Sequence, residues 1–410
     1  MNFSKFLIVP LMAIFLFGAV PGFAADVSEL ERRIDMLSDE LDQVKSSGGS
    51  GSGLLHRTSV HGYGEMHVSF DESDPTHIDQ HRFVIGVHSE LTDWIHLNAE
   101  IDFEHAAQEL EFEFGYLDFL VDNRYNFRTG VMLMPMGNLN ENHEPNLFWT
   151  VERPEFHVKI IPSTWQQGGA GVFGTIAEGL NYRVYVVNAL QSIGDGTSGQ
   201  AGYFRDSDGL RKGRQQLNKA SAADWAITGR LEYTKTSGLN LGFSFYNGDS
   251  THGFIKEDGN VTMLEGDMKY RRGWFDMNAS IANIDIDDAT ALNTFCAGAG
   301  RGAGSCRNDI PDNIFGYMVQ AGVHLPQLMG WKTSHDVIPF ITYEKIRPMD
   351  SHVDAALTAD SSKNFDLVTL GVSYMPAPKV ALKIDYQNYM YDQGATESNE
   401  EVNLGVAYMY

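Results

Sequence analysis

The sequence predicts an all-β fold: a transmembrane antiparallel β-barrel of about 16 strands, with a short N-terminal coiled-coil helix ahead of it. Three observations predict it. Apolar and polar residues alternate with period two over most of the chain beyond Thr58. The connections between these segments alternate between short and long, as they do when all tight turns lie on one side of a membrane. The stretch "VNLGVAYMY" puts Val402, Leu404, Val406, Tyr408 and Tyr410 on one face and Asn403, Gly405, Ala407 and Met409 on the other. So many half-greasy strands enclose a space too wide for side chains to fill, so the polar face meets water and the apolar face meets lipid.

The N-terminal stretch "MNFSKFLIVPLMAIFLFGAVPGFAADVS" carries Lys5, an apolar run from Phe6 to Val20, and small residues at Gly22 and Ala24. That is the pattern of a secretory signal over 1–24. The run is short for a spanning helix and Pro10 interrupts it. Over 25–46, Val27, Leu30, Ile34, Leu37, Leu41 and Val44 step by three and four, a short heptad seam. The polar "SSGGSGSG" that follows makes 47–57 a flexible tether, which favours self-association of the helix over docking on the body. Two-stranded and three-stranded association both remain open for this seam.

The strand segments are expected near 59–70, 78–90, 94–104, 110–121, 126–136, 168–177, 180–190 and 223–235. A second set is expected near 239–247, 261–271, 274–284, 313–325, 336–346, 365–375, 380–391 and 400–410. The cleanest is "IHLNAEIDFE", where Ile95, Leu97, Ala99, Ile101 and Phe103 alternate with polar residues. Short joins fall at 91–93, 122–126, 178–179, 236–238, 272–273 and 376–379. Long ones fall around 138–167, 191–222, 248–260, 285–312, 347–364 and 392–399. The join "PQLMGWKTSHD" is longer than its short-side position warrants.

The formal net charge of −24 argues against nucleic acid as a partner. Cys296 and Cys306, in "FCAGAGRGAGSC", are expected to close a local loop as a disulfide in an exported protein. No Ser–His or carboxylate–His signature marks an enzyme, and no cofactor motif is present.

Signal, heptad helix, glycine–serine tether and barrel together resemble the Gram-negative outer-membrane porins. The stretch "FEFGYLDFLVDNRYNFRTGVMLMPMG", turning at Gly137, is similar to the middle strands of the phosphate-selective porin O and P family. The final strand is similar to the signal read by the barrel-assembly machinery. The resemblance implies a water-filled, often homotrimeric channel in the outer-membrane lipid, with the N-terminal helix in the periplasm, passing small hydrophilic solutes or ions. It also implies that the loop after the fifth strand, near 138–167, folds inward as a constriction. There Glu141, His143, Glu144, Glu152, Arg153 and Lys159 supply charge, Phe148, Trp149 and Trp165 can pack it to the wall, and three prolines stiffen it. A loop covering the barrel mouth is the other reading.

Lumen parity falls on the cations Arg82, Arg128, Arg183, Arg230, Lys269, Arg271 and Lys383. It falls equally on Glu65, Glu100, Asp102, Glu104, Glu232, Glu265, Asp267, Asp276 and Asp385. The resembling family's phosphate preference rests on an arginine ladder and a lysine cluster; this mixed wall, with acids gathered on the third strand, points to a weakly selective channel. His61, His67, His88 and His96 share that parity, so a metal-binding channel is an alternative, although their spacing makes no compact site and no metal ligand is assigned. A scaffold barrel tethered by its coiled coil is the other alternative.

Overall fold

In the computed structural model, the residues described are 57–71, 75–194, 203–217, 219–297, 306, 309–351, 361–392 and 400–410. The leader, helix and tether expected over 1–57 lie, apart from Arg57, outside them. The strands are β1 (Thr58–Asp71), β2 (His77–Glu90), β3 (Ile95–Glu104), β4 (Glu109–Phe119), β5 (Asn126–Leu133), β6 (Gln166–Ala177), β7 (Leu180–Asn188) and β8 (Trp225–Tyr233). They continue as β9 (Leu239–Gly248), β10 (Val261–Arg272), β11 (Phe275–Ile286), β12 (Asn313–Val323), β13 (Asp336–Ser351), β14 (Phe365–Ala377), β15 (Val380–Tyr391) and β16 (Glu400–Met409). Each pairs antiparallel with its chain neighbours, and β1 pairs with β16, so the sheet closes into a 16-stranded barrel. Closure gives every edge strand a partner, the condition for a sheet to exist in hydrocarbon.

Alternation decides which face looks out. On β15 and β16, Leu382, Ile384, Val402 and Leu404 are exposed on the outer wall, while Lys383, Asp385 and Asn403 are buried inside. Aromatic residues outside the strand cores, such as Trp94, Tyr125, Trp274 and Trp331, are exposed near the short turns, where amphipathic rings suit a membrane interface. No helix among the described residues is long and apolar enough to cross a membrane, which says nothing about strands.

Two local features depart from the sequence expectation. The long short-side join holds one helical turn, Leu325–Met329, ended by Gly330 in the left-handed conformation at φ 66°; glycine accepts that geometry without a Cβ penalty. The 285–312 connection contains a helix, α1 (Ala289–Ala297). In it, Cys296 is disulfide-bonded to Cys306.

The larger departure concerns the interior. The inner face is expected to be polar throughout, yet on β10 to β14 it is apolar toward the long-loop end. Val261, Met263, Ile284, Ile314, Ile346 and Phe365 all point inward and are buried. They are covered by Met134, Met136, Phe156, Ile160, Ile161, Leu190, Phe204 and Leu210 from the long connections, forming one continuous core inside the barrel. Burial of that apolar area holds the connections in the barrel.

Candidate functional site: a segment folded across the lumen

The residues between β5 and β6 turn inward because the chain stops pairing at Leu133 and reverses at Gly137, whose φ of 68° few other residues tolerate. The neck is stitched shut. Met134 N–H donates to the Trp165 carbonyl at 2.8 Å. The Asn140 amide donates to the carbonyls of Met134 and Trp165, and its oxygen accepts from Trp165 N–H at 2.9 Å. Asn140 is fully buried, so all of its polar capacity on these atoms is spent inside the protein.

Beyond the neck the segment reaches opposite walls. On the β15 side, Lys383 Nζ donates to the Pro145 and Thr150 carbonyls at 2.5 and 2.9 Å and lies 4.1 Å from the centre of the Phe148 ring. Val151 N–H donates to Asp385 at 2.6 Å, and Phe156 N–H donates to Glu344 on β13 at 2.7 Å. Glu152 lies 2.5 Å from His67 on β1, and Glu141 pairs with Arg183 on β7 at 2.9 Å. Asn138 donates to Asn278 on β11 at 2.7 Å. Carboxylates accepting backbone N–H groups make strong, charge-assisted bonds. The aromatic residues pack as well: Trp165 against Tyr246 and Trp149 against Phe340.

Burial within the segment also sets its titration. Burial, then the positive Arg153, pushes the His143 pKa down to about 4. Its Nδ1 lies 3.0 Å from the Asn140 carbonyl, which only accepts, so the proton sits on Nδ1. Burial pushes His157 to about 3, and both of its ring nitrogens lack a hydrogen-bond partner. Burial, then the neighbouring Arg82, lowers Arg153 to about 10; one of its nitrogens donates to Ser163 at 3.3 Å. Lys159 pairs with Asp208 at 3.4 Å. Glu144 keeps one carboxylate oxygen buried without a hydrogen-bond partner.

The wall charges are inward-facing, but several are covered and not lapped by water. Arg82, Arg230, Lys383, Glu100 and Asp102 are 3%, 4%, 5%, 6% and 0% exposed. This corrects the expectation that they line an open lumen: the inward segment and its neighbouring connections lie over them. The cations are also paired. Arg82 lies 3.0 Å from Glu65, 3.6 Å from Asp102 and 3.1 Å from Glu104. Arg230 forks onto Asp267 at 2.5 and 3.0 Å, in space that a Cβ on Gly242 would occupy. Arg128 forks onto Asp118 at 2.7 and 2.9 Å. Arg183 divides between Glu141 and Glu232, and Lys269 is partly exposed on β10.

Sequence reasoning missed a buried carboxylate and a half-buried pair. Glu113 sits at a register shift between β3 and β4 and has no hydrogen-bond partner for either oxygen. Asp79 and His81 lie beside another shift, where Glu65 faces Arg82 but His67 faces Asp79. The extra residue flips the parity of β2, so a strict period-two reading assigns both to the wrong wall. The four histidines sharing lumen parity do not gather at one point. His88 and His96 touch edge to face at 5.3 Å, whereas His67 stacks on His81 at 4.8 Å.

No family model matches the chain. An uncharacterised protein of Aquifex aeolicus (strain VF5) is 29% identical over 363 residues, covering 86% of this chain and 80% of that protein. Among solved structures, OmpF of Salmonella typhi superposes with a TM-score of 0.55 at 10% identity, covering 86% of this chain and 97% of that one. The outer membrane channel DcaP of Acinetobacter baumannii gives 0.54 at 12% identity, with coverage of 86% and 97%. The anion-selective porin of Comamonas acidovorans gives 0.52 at 12%, with coverage of 86% and 99%. At these identities the likeness is one of fold: the chain has the closed, 16-stranded antiparallel barrel of the outer-membrane porins.

Proposed function

We propose that this chain is an outer-membrane porin, forming a water-filled channel for passive diffusion of small hydrophilic solutes and ions. One observation carries the reading: a 32-residue-scale connection, 134–165, is pinned to opposite walls inside a closed barrel instead of covering its mouth. A segment so anchored sets the width of the passage and the charges that border it. The partly exposed side chains there are Glu141, Glu144, Glu152, Arg153 and Lys159, with Arg183 and Glu232 on the wall.

Phosphate selectivity, the narrower property of the porin O and P family, finds little support. Arg82, Arg128, Arg183 and Arg230 all have carboxylate partners, so these four wall arginines do not form a free ladder for an anion. The channel is weakly selective, with a modest tilt toward cations from the acids of β3 and β4 that remain accessible, Glu104, Glu109 and Glu111. The heptad seam from Val27 to Val44 supports self-association, to which the porin resemblance adds a homotrimer, and the last strand supports recognition by the barrel-assembly machinery.

Planar-bilayer recording under a potassium chloride gradient tests this. The expected result is discrete conductance steps and a small reversal potential of cation-preferring sign. Absence of any conductance, together with liposomes that do not swell in sugars, would convert the reading to a sealed scaffold barrel. A strong anion preference would overturn the assignment of lumen charge.

A further inference from the structure

We propose that Asp79, His81 and His105 bind one divalent transition-metal ion of the zinc, nickel or copper class at the long-loop rim of the barrel. This site is independent of the channel reading. The Asp79 Oδ2 oxygen lies 3.2 Å from His81 Nδ1 and 2.8 Å from His105 Nδ1, and the three atoms lie within 4.8 Å of one another. A tetrahedral ion with bonds of about 2.0–2.2 Å holds neighbouring ligand atoms roughly 3.3 Å apart. The two edges that meet at Asp79 therefore need to open by only a few tenths of an ångström to admit the ion, and the two imidazole nitrogens already lie within 4.8 Å of each other. Two imidazoles and one carboxylate favour borderline transition metals over calcium or magnesium, which take oxygen ligands. His105 is exposed, so water can complete the coordination shell.

The backbone holds the ligands together at a cost. His105, Ala106 and Ala107 run consecutively at φ 50°, 55° and 68°, left-handed geometry in residues with a Cβ. Three such residues in one hairpin mark a strained turn, and strain of this kind gathers at binding sites. The turn is tied to β2 by His105 N–H and Ala106 N–H, which donate to the carbonyls of His81 and Gln80. On β2, the shifted register turns Asp79 and His81 to the same wall as His67.

The surroundings balance toward a cation. Glu104 and Glu109 flank the turn, and with Glu111 they form a neighbouring acidic group. Arg82 is the opposing charge. Its guanidinium is 3.4 Å from His81 Nε2, and it also binds Glu65 and Glu104. Metal on Nδ1 leaves the proton on Nε2, so Arg82 gives up that long contact and keeps its three carboxylate neighbours, Glu65, Asp102 and Glu104.

The test uses untagged, full-length barrel in detergent, stripped with EDTA and titrated calorimetrically with zinc chloride. One ion per chain is expected, with affinity about tenfold weaker or more in His81→Ala and His105→Asn. Asparagine tolerates the left-handed turn, so His105→Asn protects against loss of fold, checked by heat-dependent gel migration. His335→Ala, an exposed histidine paired with Tyr374, is expected to bind as wild type. The paramagnetic resonance spectrum of bound Cu²⁺ is expected to show coupling to two nitrogens. No heat with wild type, equal affinity in both folded variants, or a copper spectrum without nitrogen coupling would each overturn the proposal, leaving two histidines hydrogen-bonded to an aspartate.

Discussion

The inner wall of β1 to β4 and that of β10 to β14 are built from opposite materials. The first is charged: Glu65, His67, Arg82, Glu100, Asp102 and Glu113 are all buried there. The second is hydrocarbon toward its long-loop end, through Val261, Met263, Ile284, Ile314 and Ile346. The inward segment meets each in kind, offering Glu152 and His143 to the charged side and Phe156, Ile160 and Ile161 to the apolar one. The apolar wall supplies adhesion, which is non-directional; the polar contacts, including Asp385 and Lys383, supply register.

Removing the segment breaks the comparison most severely. Deletion of 141–160 is expected to raise single-channel conductance several-fold and to expose the apolar wall, seen as binding of a hydrophobic dye. Unchanged conductance would mean the segment does not narrow the passage. Next in size, Phe156→Ala removes a fully buried ring from the apolar side and is expected to cost about 3–5 kcal/mol in denaturant unfolding. Asp385→Asn, on the polar side, is expected to cost less, about 1.5–3 kcal/mol, the worth of a hydrogen bond to a charged group. Equal losses would erase the distinction between adhesion and register.

Acidification probes the polar contacts more gently. His143 and His157 have folded pKa values of about 4 and 3, below the unfolded value of about 6.5. The unfolded chain binds more protons across that window, so stability is full above about pH 6.5 and declines as pH falls toward 4 and then 3. Unfolding midpoints measured from pH 7 to pH 4 are expected to fall, and His143→Gln is expected to flatten the decline. The smallest effect is expected from Arg183→Gln, which leaves Glu141 without its cation and shifts the reversal potential slightly toward cations.

Much of this plan was legible in the sequence. Alternation marks all 16 strands to within a few residues, because an outward-facing Leu382 beside an inward-facing Lys383 is a period-two signal that lipid and water enforce. What alternation cannot convey is the identity of an apolar face's neighbour. Met263 and Leu264 are adjacent and both apolar; one meets a loop and the other the outer surface. The shift at Gln80 and His81 was also invisible, since one extra residue changes no composition yet reverses the parity of the residues on its N-terminal side, Asp79 and His81, relative to Arg82. Ion pairing was missed for a related reason. Arg82 and Glu104 are 22 residues apart, and only the registry of β2 on β3 brings them face to face.

The junction of the first and last strands has a consequence for assembly. Every other pairing unites consecutive hairpin neighbours, but here Tyr410 exchanges backbone bonds with Gly62 and its hydroxyl donates to Val84, 326 positions away. Local zipping can raise the other fifteen seams in any order, yet this last one must wait for two distant ends to meet, with both ribbons unprotected meanwhile. Maturation of the cylinder is therefore gated by a single late stitch, and it is there that a helper protein has the most to contribute.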